Sequence, residues 1–167
     1  ICSFLMSGTF AQKYSLQGQW KVKLGSTEGR EYSIQLPGTL DDAGIGDTVN
    51  IVPGLNIATL AHLTRKVQYT GKAYYSRELF IPKHPQGGTY ILKLGRVLWK
   101  SSITIDGTLL PVSKESLVAS HEYDITPYIR PGYSQRITIC IDNSNIYPGI
   151  NIYAPQYPSK ESIEMTH

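Results

Sequence analysis

The side chains able to do chemistry are few, and few of them are spaced for it. Histidines stand at 62, 84, 121 and 167 and cysteines at 2 and 140. None of these has a partner at the short intervals by which metal ligands are gathered, so no metal and no cofactor are expected. No Gly-x-Ser-x-Gly turn presents an activated serine. Gly44-Ile45-Gly46 lacks the strand and helix that a phosphate-binding loop requires around it. Two carboxyl groups that cleave a bond as acid and base must face each other about 5 to 10 Å apart, one of them held protonated. Asp41 and Asp42 are adjacent and cannot do this between themselves. Pairing either with Asp124 or Asp142 would depend on the fold, and all four also suit solvent-facing turns. No catalytic residue is assigned on this basis. Cys140 lies among Ile137, Ile139 and Ile141 and reads as a small buried apolar group, with no disulfide expected.

The elements that would position any site are strands. Apolar residues recur with a period of two, and no stretch of helical length shows the i, i+3, i+4, i+7 pattern. The strand candidates are Gln19 to Leu24, Tyr32 to Leu36, Ala73 to Ile81, Thr89 to Leu94, Ser101 to Ile105, Thr108 to Val112 and Gln135 to Ile141. Asp106-Gly107 and Gly87-Gly88 are suited to the positive φ angles of tight hairpin turns. Asp124-Ile125-Thr126-Pro127 predicts a short helical turn, which Pro131-Gly132 ends. Short strands with evenly spaced turns, and no helices to cover a parallel sheet, predict an all-β jelly-roll sandwich. The stretch from Pro37 to Gly71 breaks the strand rhythm, and a connection of that length is usually functional. After Asp142-Asn143, prolines at 148, 155 and 158 predict an extended exit segment.

With 41% hydrophobic and 17% charged residues, the 167-residue chain has the make-up of one globular domain. A chain of this size buries roughly 70% of its unfolded surface. Tyrosine supplies 12 of the aromatic side chains, which suits sheet faces and wet contact surfaces alike. The net charge of +3 comes from lysines and arginines scattered along the chain, which argues against nucleic acid as a partner. Only Arg65-Lys66 beside His62 gathers positive charge locally. Residues 1–11 are uncharged, with Thr9 and Ala11 at the positions that specify cleavage, and resemble the back half of a secretory signal. A first strand is the other reading of this segment. No other apolar run reaches the ~20 residues that span a bilayer, so a product exported to the periplasm or the outside, without a membrane span, is expected. The sandwich is placed at residues 12–145 and the exit segment at 146–167.

The succession of motifs carries more information than any one of them. Leu16-Gln17-Gly18-Gln19-Trp20 is followed by Ile34-Gln35-Leu36-Pro37-Gly38-Thr39, and after the long loop by Gly71-Lys72-Ala73-Tyr74-Tyr75-Ser76-Arg77-Glu78. Then come Ile91-Leu92-Lys93-Leu94-Gly95-Arg96-Val97, Ile103-Thr104-Ile105-Asp106-Gly107, Tyr123-Asp124-Ile125-Thr126-Pro127-Tyr128-Ile129-Arg130-Pro131-Gly132 and Ile139-Cys140-Ile141-Asp142-Asn143. This order, over about residues 16 to 145, resembles the N-terminal sugar-binding domain of family 2 glycoside hydrolases, the β-galactosidase and β-glucuronidase type. Asp106 stands where the family commonly has Asn, a departure that keeps the turn. Trp20 and Tyr75 read as core anchors in such a sandwich, with sugar stacking as the other role for the aromatic residues.

The resemblance implies a galactose-binding-domain-like sandwich that does no chemistry itself. The family's two catalytic glutamates lie in a downstream (β/α)8 barrel, so the implied partners are a carbohydrate and that barrel in the same polypeptide. The domain lends loop residues to the sugar pocket, from the loop before Gly-x-Ala-Tyr-Tyr and from the segment after Asp-Asn. Asp41, Asp42, His62, Arg65 and Asn143 are the candidate substrate contacts, each of which also suits an ordinary loop role. A free-standing carbohydrate-binding module and a purely structural packing domain are the alternatives.

Overall fold

The computed structural model describes residues 12–48, 66–84, 87–116 and 118–144. Its strands are β1 (Gly18–Leu24), β2 (Glu31–Leu36), β3 (Asp47–Thr48), β4 (Val67–Gln68), β5 (Lys72–Phe80), β6 (Ile91–Leu94), β7 (Lys100–Ile105), β8 (Thr108–Leu109), β9 (Lys114–Glu115), β10 (His121–Asp124) and β11 (Ser134–Asp142). A single 3-10 turn, Thr126–Tyr128, is the helical element among the described residues. The main antiparallel sheet runs β2-β1-β5-β11-β7-β8, with β9 also paired to β7. β10 and β6 pair on their own, as do β3 and β4. The all-β sandwich expected from the sequence is the fold observed, while the proposed segments 1–11 and 146–167 lie outside the described residues.

Every predicted strand is present, with boundary differences that have local causes. β8 ends early because, although the N–H of Leu110 still bonds Ile103 O at 2.9 Å in register with the ladder, Pro111 has no N–H to carry it further. β6 begins at Ile91 because the N–H of Tyr90 is taken by Thr126 Oγ1 at 2.8 Å. Gly87 and Gly88 do take positive φ, 71° and 155°. They do not close a hairpin, because the strands on either side belong to different sheets.

Asp106-Gly107 does close one, joining β7 to β8 with φ of 47° and 85°. Two positive φ angles in succession give the twist that matches antiparallel strands. Asp106 is held there by its neighbours. Its Oδ1 accepts from the backbone N–H of Arg136 at 2.8 Å, and its Oδ2 accepts from Gln135 Nε2 at 2.7 Å and Arg130 Nη2 at 3.2 Å. Gln135 is itself buried, and its Oε1 accepts from the backbone N–H of Arg130, so one amide ties the turn to the loop after the 3-10 element. The bond from Gln135, then that from the Arg136 N–H, then Arg130, hold the Asp106 carboxyl below its usual range. A depressed folded-state value stabilises above the unfolded value and is lost as pH falls through the folded one. The stability difference between the wild type and Asp106→Asn should therefore shrink as pH drops through the carboxylate range, measured as urea midpoints at neutral and strongly acid pH. A constant difference would show that the charge is not used.

The core lies between the inner face of the main sheet and β6, β10 and the residues that follow β10. Trp20, Val22, Ile34, Ala73, Leu79, Ile103, Ile105, Ile137 and Ile139 face inward from the main sheet, and Leu92, Tyr123, Ile125 and Ile129 meet them from the other side. Burying each large aliphatic side chain contributes roughly 1.5–3 kcal/mol. Tyr75 also points inward, opposite Val22 and Ile139, and burial pushes its hydroxyl up to about 12. Cys140 does not join the core as its isoleucine neighbours suggested. Alternation turns it to the outer face, between Tyr74 and Ser102, where it is half-buried.

One polar network sits inside this core. Ser101 and His121 are 1% and 2% exposed, and Ser101 Oγ contacts His121 Nδ1 and, at 2.7 Å, Tyr123 Oη. Tyr123 Oη donates to Ser101 O at 2.8 Å, which uses its only proton. The Ser101 hydroxyl must then donate to Tyr123 Oη, and Nδ1 of His121 must carry the proton donated to Ser101 Oγ. The bare Nε2 is the ring atom left without a partner, as observed.

The outer face of the main sheet is polar. One cross-strand row runs Ser33, Lys21, Ser76, Thr138, Thr104, Leu109, and a second runs Glu31, Lys23, Tyr74, Cys140, Ser102. Lys21 pairs with Glu31 at 2.7 Å and Arg136 with Glu78 at 3.1 Å. Such exposed pairs contribute little to stability.

Candidate functional site

The loop after β2 is built on a reciprocal turn. Thr39 Oγ1 donates to Asp42 Oδ2 at 2.7 Å, and the N–H of Asp42 donates back to Thr39 Oγ1 at 3.0 Å. This is the logic of a capping box, in which a hydroxyl and a carboxylate three residues apart satisfy each other's backbone. The turn closes with Ala43 N to Thr39 O at 3.2 Å and Ile45 N to Leu40 O at 2.8 Å, which seats Ile45 in the core. Asp41 faces elsewhere: its Oδ1 accepts from the backbone N–H groups of Lys66 and Val67 at 2.9 and 2.8 Å.

Asn143 fastens the other end of the same segment. Its Oδ1 accepts from Gly71 N at 2.7 Å, its Nδ2 donates to Tyr69 O at 3.0 Å, and its own N–H donates to Gly71 O at 3.3 Å. The stretch Lys66–Gly71, which feeds β5, is thus held by Asp41 from the loop after β2 and by Asn143 from the end of β11. Each hydrogen bond is worth about 0.5–1.5 kcal/mol, so Asn143→Ala should cost about 1–3 kcal/mol. Its diagnostic is faster amide hydrogen exchange at Gly71; unchanged exchange there would show that the segment does not depend on Asn143.

Three of the five candidate contacts are therefore on one framework, and their described hydrogen bonds are to the protein's own loops. His62 and Arg65 lie outside the described residues. Asp124 and Asp142 each accept from the backbone N–H two residues on, Thr126 at 2.9 Å and Ser144 at 3.0 Å, as turn aspartates do. Burial opposes ionisation of Asp142, yet the Ser144 bonds with Lys72 and Lys100 nearby bring its carboxyl below the usual range. Asp42, Asp124 and Asp142 thus each bond within their own local turns, while Asp41 bonds across to the backbone of Lys66 and Val67. The Ser101, His121 and Tyr123 network was not anticipated, although the alternation His121, Tyr123, Ile125 marks a half-buried strand there. Its burial leaves no access for a substrate.

Among the described residues no helix is long and apolar enough to cross a membrane. No protein-family model matches the chain. Among solved structures the chain is similar to a β-D-glucuronidase of Dictyoglomus thermophilum, at 20% identity and a TM-score of 0.56, over 77% of this chain and 19% of that one. It is similar also to a β-glucuronidase of Ruminococcus gnavus in complex with D-glucaro-1,5-lactone, at 17% identity and a TM-score of 0.57, over 78% of this chain and 21% of that one. A further structure of the Ruminococcus gnavus enzyme gives 18% identity and a TM-score of 0.58. The chain shares its fold with one part of these proteins and spans about a fifth of their length.

Proposed function

From a sandwich fold shared with one part of much longer β-glucuronidases, we propose that the chain is the non-catalytic, carbohydrate-contacting N-terminal domain of an exported family 2 glycoside hydrolase. The observation that carries this reading is the Asn143 staple, which joins the exit of β11 to the segment leading into β5. The resemblance expects sugar contacts from those two places, and a pocket wall made of both must hold them in register. The domain's part is to hold sugar hydroxyls with aligned donors and acceptors and to exclude water, while a downstream barrel supplies the acid and the nucleophile. Asp41, Asp42, His62, Arg65 and Asn143 are the proposed contacts.

Reading the source coding sequence past His167 tests the proposal first. Continuation for several hundred codons into a barrel with its two glutamates supports it, and a stop codon at that point overturns it. In the full-length enzyme, Asp42→Ala and Arg65→Ala should raise KM for an aryl β-glycoside. Unchanged kinetics in both would remove the proposed contacts. Export is tested by finding the enzyme in the periplasmic or culture fraction rather than the cytoplasm.

A further inference from the structure

We draw no further inference here: the strongest candidate, the apolar corner of Leu98, Trp99 and Val118 beside the end of β11, carries nothing because nothing in the structure shows what covers it.

Discussion

Trp20→Ala should destabilise the domain by about 3–5 kcal/mol, the range for emptying a large aromatic site in a packed core. Trp20 is 3% exposed and does two jobs. Its ring fills the core at the β1 end and lies 6.0 Å from the Arg77 guanidinium, while its Nε1 donates to Leu16 O at 3.0 Å. Arg77 Nη1 bonds the carbonyls of Leu16 and Gln17 at 3.3 and 3.0 Å, so the lead-in to β1 is held from both sides. Trp20→Phe keeps most of the apolar volume and should recover more than half of the loss. Urea midpoints of the two variants decide it. A loss below about 1 kcal/mol for alanine would mean that Trp20 is not a core residue.

Ser101→Ala should cost about 2–3 kcal/mol, far more than one small side chain suggests. Tyr123 keeps its bond to the Ser101 carbonyl, but the proton on His121 Nδ1 loses its only acceptor in a dry interior, and a stranded buried donor costs about 1–3 kcal/mol. The rest is the small void. Replacing both polar partners, Ser101→Ala with His121→Leu, removes the stranded donor and should be less harmful than the two single changes added together. Additive losses would mean that the pair is not coupled. Nitrogen-15 shifts of the His121 ring should independently show the proton on Nδ1, and a proton on Nε2 would contradict the network.

Most of the fold was legible because its signals are local. Period-two alternation marked β1, β2, β5, β7 and β11, and Asp106-Gly107 declared its own hairpin. The two-residue strands β3, β4 and β9 are too short to show a period, and exist because a neighbour offers a ladder, while β8, expected over Thr108 to Val112, keeps only its first two residues. Gly87-Gly88 shows the same boundary of local reading: the positive φ angles follow from residue type, but which strands they connect is decided by sheet assignment. Cys140 was misplaced because an apolar neighbourhood in sequence outweighed the alternation that sends it to the opposite face. At the candidate site, Asp41, Asp42 and Asn143 stood out as loop polar residues. Asp42 pairs with Thr39 only three positions away, but the partners of Asp41 and Asn143, 25 to 74 positions away in the chain, could not be inferred from spacing. The buried serine, histidine and tyrosine carried no motif, since 20 residues separate Ser101 from His121.

The far border of the main sheet has a consequence for how this protein behaves in a crowded solution. A long open strand offers unpaired amides as a template on which other chains can add and aggregate. Here β7 is covered by two separate dipeptides, β8 at one end and β9 at the other. Between them Leu110 bonds Ile103, Pro111 offers no amide, and β9 itself presents Lys114 and Glu115. That border is broken into pieces too short and too charged for a second molecule to extend.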